Sequence, residues 1–222
     1  LLAPRLVERS ARRYRQLELD DATFSRSFGI FAEALRDGAR LPRKALLDAL
    51  EQNGILVDGQ RGYHILRRAG LEGLICYGPM EEKEETYLLL ESWAASDQES
   101  DHEDSLGELA HRYFSGHGPA TLRDFVWWAG LLIADARAGL DMAKSHLHHE
   151  RLEDQDYWMS PESSVVAEPS PTARLLPAFD EYYVGYRDRD AVLDPDYDKN
   201  AISSAGYFRP MLVIDGQIVG TW

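Results

Sequence analysis

Apolar positions in this chain fall mostly at helical spacing up to Lys144, with one strand-like interruption, and become strand-like beyond it. Phe24, Phe28, Phe31 and Leu35 follow one another at intervals of three and four, which predicts one helix face between Asp21 and Asp37, closed by Gly38. Pro4 to Arg15 predicts an earlier helix, with proline near its start where a missing N–H does no harm. In "LPRKALLDALEQNG", Pro42 opens a helix that carries Leu46, Leu47 and Leu50, and Gly54 lies past its end. "GQRGYHILRRAG" places Ile65, Leu66 and Ala69 on one stripe flanked by Arg61, Arg67 and Arg68. "LICYG" and "TYLLLES" read as two strands around the tip "PMEEKEE". Three helices followed by a hairpin is the winged helix-turn-helix order.

The same order recurs downstream. Ser105 and Glu108 have the spacing of a capping box, followed by an apolar face of Leu106, Leu109, Ala110, Tyr113 and Phe114. Gly118-Pro119 forms a turn, Thr121 is an N-cap with Asp124 three residues on, and Leu122, Phe125 and Trp128 point inward. Gly130 ends that helix, and another runs from Leu132 to Lys144. "SHLHHER" and "DYWMS" form a second strand pair. "RLLPAFDEYYVGYRDRD" is strand-like with a polar end, and "FRPMLVIDGQIVGTW" is a hairpin turning at Asp215-Gly216. The expected fold class is therefore α+β: tandem winged helix-turn-helix units with a C-terminal antiparallel β segment. Its divisions are a helical lead-in at 1–20, a winged unit at 21–93, an acidic linker at 94–104, a second winged unit at 105–159, and a connector with a β hairpin at 160–222.

Charge sharpens this picture. The formal net charge is −14, yet residues 1–75 hold thirteen Lys/Arg against ten Asp/Glu, and residues 76–222 hold eleven against twenty-eight. Phosphate affinity comes largely from Lys and Arg, so any nucleic-acid contact is expected mainly in the first third. Double-stranded DNA is the expected partner, through Arg43, Lys44, Arg61, Arg67 and Arg68 around the first recognition helix and Thr121 and Arg123 at the start of the corresponding later helix. The alternative for each arginine is simple solubility of an exposed helix. A single cysteine, Cys76, excludes an internal disulfide and fits a reducing cytoplasm. No apolar run is long enough for a membrane span, and a monomer is expected. Both ends read as cut from something longer.

Other residues carry chemistry with a structural alternative. Asp180, Glu181, Arg187 and Asp188 form a polar site in which a carboxylate positions water, or an Asp/Arg arrangement that pins a strand end. "HLHHE" at 146–150 offers imidazoles, with His146 and His148 on one strand face, but too few convergent ligands for a metal. No cofactor is expected. Trp127 and Trp128 either stack on an extruded base or fill the core.

The blocks "LAHRYFSGHGPATLRDFVWWAGL", "RLLPAFDEYYVGYRDRD" and "VIDGQIVGTW", with "GLICYGP" upstream, resemble a bacterial family of tandem winged-helix proteins. That family includes the DNA glycosylases that excise alkylated purines and unhook interstrand crosslinks. The resemblance spans nearly the whole chain. It implies winged-helix units arranged around DNA and metal-free hydrolysis of an N-glycosidic bond. It also implies a catalytic Gln-apolar-Gln or Gln-apolar-Asp motif upstream of Leu1, so no catalytic residue is assigned here; Gln16-Leu17-Glu18 stands at the wrong place for it. The acidic tip "PMEEKEE" departs from a DNA-facing wing. A non-enzymatic winged-helix transcription regulator and a protein-interaction module are the alternatives.

Overall fold

The structure, a computed structural model, describes residues 1–94, 101–163, 170–193 and 206–222. The chain divides into two compact units, Leu1–Glu99 and Ser100–Trp222. Among the described residues no helix is long and apolar enough to cross a membrane. Antiparallel sheets alternate with helices, so the α+β expectation holds.

The first unit opens with α1 (Ala3–Gln16) and α2 (Asp21–Ala34). The Asp20 side chain accepts from the Thr23 backbone N–H at 2.8 Å and caps α2; these bonds to Thr23 hold the Asp20 carboxyl below its ordinary pKa. The helix expected to reach Asp37 stops at Ala34. Arg36–Gly38 forms a 3-10 turn, and both Asp37 and Gly38 have positive φ. β1 (Leu41–Pro42), α3 (Arg43–Gln52), α4 (Arg61–Leu71), β2 (Ile75–Tyr77), β3 (Thr86–Leu89) and α5 (Leu90–Trp93) follow. The sheet order is β1-β3-β2. Helical periodicity does not anticipate β1, because its partner lies more than forty residues away: Leu41 pairs with Tyr87 and Pro42 with Thr86. The core is the apolar face of the pattern, with Phe31, Leu35, Leu46, Leu50 and Ile65 wholly buried. Tyr14 and Val7 of α1 belong to the same core.

The second unit contains α6 (His102–His117), α7 (Leu122–Ala129), α8 (Ile133–Ala143), β4 (His148–Leu152), β5 (Gln155–Met159), β6 (Ala173–Leu176), α9 (Glu181–Val184), β7 (Met211–Ile214) and β8 (Gln217–Thr221). Three expectations need correction. Ser105 does not cap α6: Asp101 does, accepting from the His102 N–H at 2.7 Å, and Glu103 and Asp104 suit the positive end of the helix, so Ser105 lies inside it. His146 is not on a strand but ends a 3-10 turn at Lys144–His146. "RLLPAFDEYYVGYRDRD" is a strand only at Ala173–Leu176; Pro177 has no N–H to donate, and Asp180 then caps α9. Residues 95–100 of the expected linker and 164–169 of the connector lie outside the described residues.

The two units share an arrangement. In the first, β1 directly precedes α3 and pairs with the second hairpin strand, β3. In the second, Ala120 directly precedes the cap of α7 and exchanges backbone hydrogen bonds of 3.0 and 2.9 Å with Trp158 of β5. Gly118 makes that approach possible: a Cβ there would lie 2.5 Å from Met159 Cα. Likewise a Cβ at Gly139 would lie 2.5 Å from the Leu106 carbonyl, so α6 and α8 pack close. Beyond the hairpin, β6, β7 and β8 form a second sheet. Asp215 and Gly216, both with positive φ, make the expected turn between β7 and β8.

Candidate nucleic-acid interface

The five basic residues nominated in the first unit fall into two groups. Lys44 forms a 2.6 Å ion pair with Asp48, and this bond raises its pKa. Arg68 pairs with Glu72 while its guanidinium lies 5.0 Å from the Phe24 ring and 5.7 Å from that of Tyr14. Arg61, at the start of α4, donates to the carbonyls of Leu56 (2.9 Å), Leu17 and Glu18 (3.2 Å), and so ties α4 to the turn between α1 and α2. Arg61 and Arg68 are thus engaged within the fold, whereas Lys44 is exposed and paired only with its helix neighbour Asp48.

Arg43 and Arg67 are different. Arg43 begins α3 and is exposed; Arg67 lies on α4 and donates to Ser10 Oγ at 3.1 Å. Among the described residues neither comes within ion-pair distance of a carboxylate. Both line one cleft of about 560 Å³ between α4 and the β2–β3 hairpin. Periodicity missed its aromatic lining: Tyr63, Tyr77 and Tyr87. Tyr77 and Tyr87 have ring centroids 4.9 Å apart, and burial together with a hydrogen bond to Tyr77 pushes the Tyr87 hydroxyl above its ordinary pKa. Next along α4, burial lowers the His64 pKa, and Arg13 and Arg67 lower it further. Arg13 donates to Gln60 at 2.8 Å. A row of cations thus borders α4, a signal spread over two helices and invisible in either alone.

In the second unit, Thr121 and Asp124 form the expected reciprocal cap. The Asp124 carboxylate is buried, with 5% exposure. One of its oxygens, Oδ2, accepts from Thr121 N (2.9 Å) and Thr121 Oγ1 (2.6 Å). The other, Oδ1, accepts from the backbone N–H groups of Arg187 (2.9 Å) and Asp188 (3.3 Å). One carboxylate therefore joins two sequence regions nominated separately. Thr121, Arg123, Arg187 and Asp188 line a single cleft of about 410 Å³, with Gln155 of β5.

Asp180 and Glu181 are not in that lining. Asp180 accepts from Tyr182 N at 2.9 Å. Glu181 accepts from Trp128 Nε1 at 3.0 Å and lies 3.3 Å from His117 Nε2. Segment 181–189 is also held by Tyr113 Oη donating to the Gly185 carbonyl (3.0 Å), Tyr186 Oη donating to that of His117 (2.7 Å), and Trp127 Nε1 donating to that of Val184 (3.2 Å). Burial, then the Asp124 charge, pushes the Tyr113 and Tyr186 hydroxyls above the ordinary tyrosine range, so both stay protonated donors. The Arg189 guanidinium sits 4.4 Å from the Tyr183 ring and 5.3 Å from that of Trp127. His148 lies 3.2 Å from Glu150 within β4, and His149 lies 2.9 Å from Asp156 across to β5. Among the described residues no group of three or more His, Cys, Asp or Glu is placed to hold a metal ion.

Comparison with known proteins adds the following. The family model described as DNA glycosylase AlkZ-like matches residues 1–222. The interstrand DNA cross-link repair glycosylase of Streptomyces sahachiroi is 25% identical over 167 residues, covering 71% of this chain and 45% of that protein. The solved structure of Streptomyces sahachiroi DNA glycosylase AlkZ aligns with a TM-score of 0.70 at 22% identity, covering 91% of this chain and 57% of that one. The chain thus spans about half the length of these relatives.

Proposed function

This chain belongs to the AlkZ-like DNA glycosylase family, and from that premise we propose that it is the DNA-embracing portion of a repair glycosylase. The substrate class is duplex DNA carrying interstrand crosslinks, as the name of the Streptomyces sahachiroi relative suggests, or alkylated purines, as the sequence resemblance implies. The chemistry is hydrolysis of an N-glycosidic bond: water adds at C1′ while the damaged base departs. No residue of 1–222 is assigned to that step. The glutamine-containing motif implied by the resemblance is proposed to lie ahead of Leu1.

Within this reading, residues 21–93 and 105–159 are two winged-helix units, 94–104 a linker, and 160–222 a connector and β segment. The matched placement of β1 and of Ala120 against their hairpins supports the repeat. The observation that carries DNA contact is the sorting of the cations: Arg43 and Arg67 share a cleft without a carboxylate partner, while Lys44 and Arg68 are ion-paired. Arg123 and Arg187 are proposed as the counterpart in the second unit. Family membership favours repair over the regulator alternative.

Two measurements test the reading. The full-length protein is assayed for abasic sites on alkylated duplex DNA, and no product above background counts against glycosylase activity. For this chain, duplex affinity is measured against salt. Replacing Arg43 and Arg67 together by Ala is expected to flatten the slope of log K against log salt by about 2, whereas K44A and R68A leave it unchanged. Equal effects from both sets would overturn the assignment of the cleft.

A further inference from the structure

We propose that the cleft between α4 and the β2–β3 hairpin takes a nucleotide from an unpaired DNA strand. Its base stacks on Tyr77 and Tyr63, and its phosphate lies between Arg43 and Arg67. This rests on the DNA-binding reading above and deepens it, because duplex contact alone gives the tyrosines nothing to do.

Tyr63 is 49% exposed and Tyr77 63%, although both are large rings over a floor of Leu66 and Ile75 that is 5% and 3% exposed. The Tyr87 ring, which also lines the cleft, lies 4.9 Å from that of Tyr77 and tilted by 39°, so Tyr77 has an aromatic neighbour on one side. The cleft volume of about 560 Å³ is in the range of roughly 300–1,000 Å³ that small-ligand clefts occupy. Glu85 also lines it, but the two guanidiniums leave the cleft with excess positive charge. Aromatic rings interleaved with arginines are what single-stranded nucleic acid recognises: cations follow the backbone, and rings accept any base by its π-face. A base inside a duplex already has both faces covered. Only an unstacked base, such as one displaced where a lesion distorts the helix, has a face to offer.

The test uses the whole chain with two probes, a labelled oligothymidylate of about 12 nucleotides and a blunt duplex. Y77A and Y63A are each expected to weaken oligothymidylate binding by roughly tenfold while duplex binding stays within about twofold and the salt slope is unchanged. Y77W retains the affinity of the parent, because an indole offers the same stacking face. R43A weakens both probes and lowers the salt slope. If the parent binds duplex but not oligothymidylate, or the tyrosine variants match the parent, the nucleotide site is refuted while the duplex reading stands. If the parent binds neither probe, both are refuted. Tyr63 and Tyr77 are surface residues, so their loss leaves the core intact; an unchanged circular dichroism melt verifies this.

Discussion

Replacing Asp124 by Ala removes the acceptor at the centre of the second unit. Asp124 is 5% exposed and receives four hydrogen bonds, two from Thr121 and two from the Arg187 and Asp188 backbone. Losing an N-cap interaction costs about 1 kcal/mol. A hydrogen bond to a charged acceptor contributes about 1.5–3 kcal/mol, and the one from Arg187 N is short and part-buried; that from Asp188 N, at 3.3 Å, adds little. D124A is therefore expected to cost about 3 kcal/mol. T121A removes only the cap and is expected to cost about 1 kcal/mol. The difference between them reports the clamp on segment 187–188 together with the Thr121 N–H bond that T121A retains. Chemical denaturation followed by tryptophan fluorescence reads it, because Trp127, Trp128, Trp158 and Trp222 lie in the second unit and only Trp93 in the first. If D124A and T121A have the same midpoint and slope, the clamp contributes nothing and the account of this cleft is wrong.

Three further outcomes are expected. G118A forces a Cβ to within 2.5 Å of both Met159 Cα and the Phe114 carbonyl, and should destabilise the second unit by about 2 kcal/mol or more; an unchanged denaturation midpoint contradicts the close approach to β5. The bonds to Thr172 N and Ser170 Oγ hold the Asp215 carboxyl below its ordinary value of 3.8. A depressed folded-state pKa gives stability that is present above the unfolded value and lost as pH falls through the folded one. D215N, which also tolerates the turn's positive φ, should therefore be less stable than the parent at neutral pH and indistinguishable from it in strong acid; a gap that persists in acid refutes the linkage. Finally, the His64 pKa is lowered by burial and by Arg13 and Arg67, and a phosphate placed against those arginines offsets their effect. Duplex affinity should rise as pH drops below about 6.5 in the parent but not in H64Q, and parallel pH profiles would argue against phosphate near α4.

Much of the fold is legible because its signals are local. The Phe24 to Leu35 stripe, the Thr121–Asp124 cap and the Asp215-Gly216 turn each occupy a few consecutive residues, and each forms as the spacing requires. What escaped depends on distant partners. Two residues make β1, and one residue, Ala120, serves on its counterpart; neither has a period to detect. The site divides in the same way. Lys44–Asp48 and Arg68–Glu72 are spaced i, i+4, so their pairing is readable from sequence. The Arg61 bonds to Leu17 and Glu18 are not, since more than forty residues separate them. Nor does any local pattern link Asp124 to Arg187, or Tyr63 to Tyr77 across one cleft.

The uneven engagement of the cations bears on how a chain carrying a formal charge of −14 meets a polyanion. For the DNA proposed above, the net negative charge opposes approach, and an arginine already paired with a carboxylate, such as Arg68, offers a weaker foothold. On the proposed DNA-binding reading, the encounters that hold are those that present an unneutralised guanidinium such as Arg43 or Arg67. Moderate salt then raises both rates, with opposing effects on affinity: it relaxes the repulsion that slows arrival, and it loosens the phosphate once held.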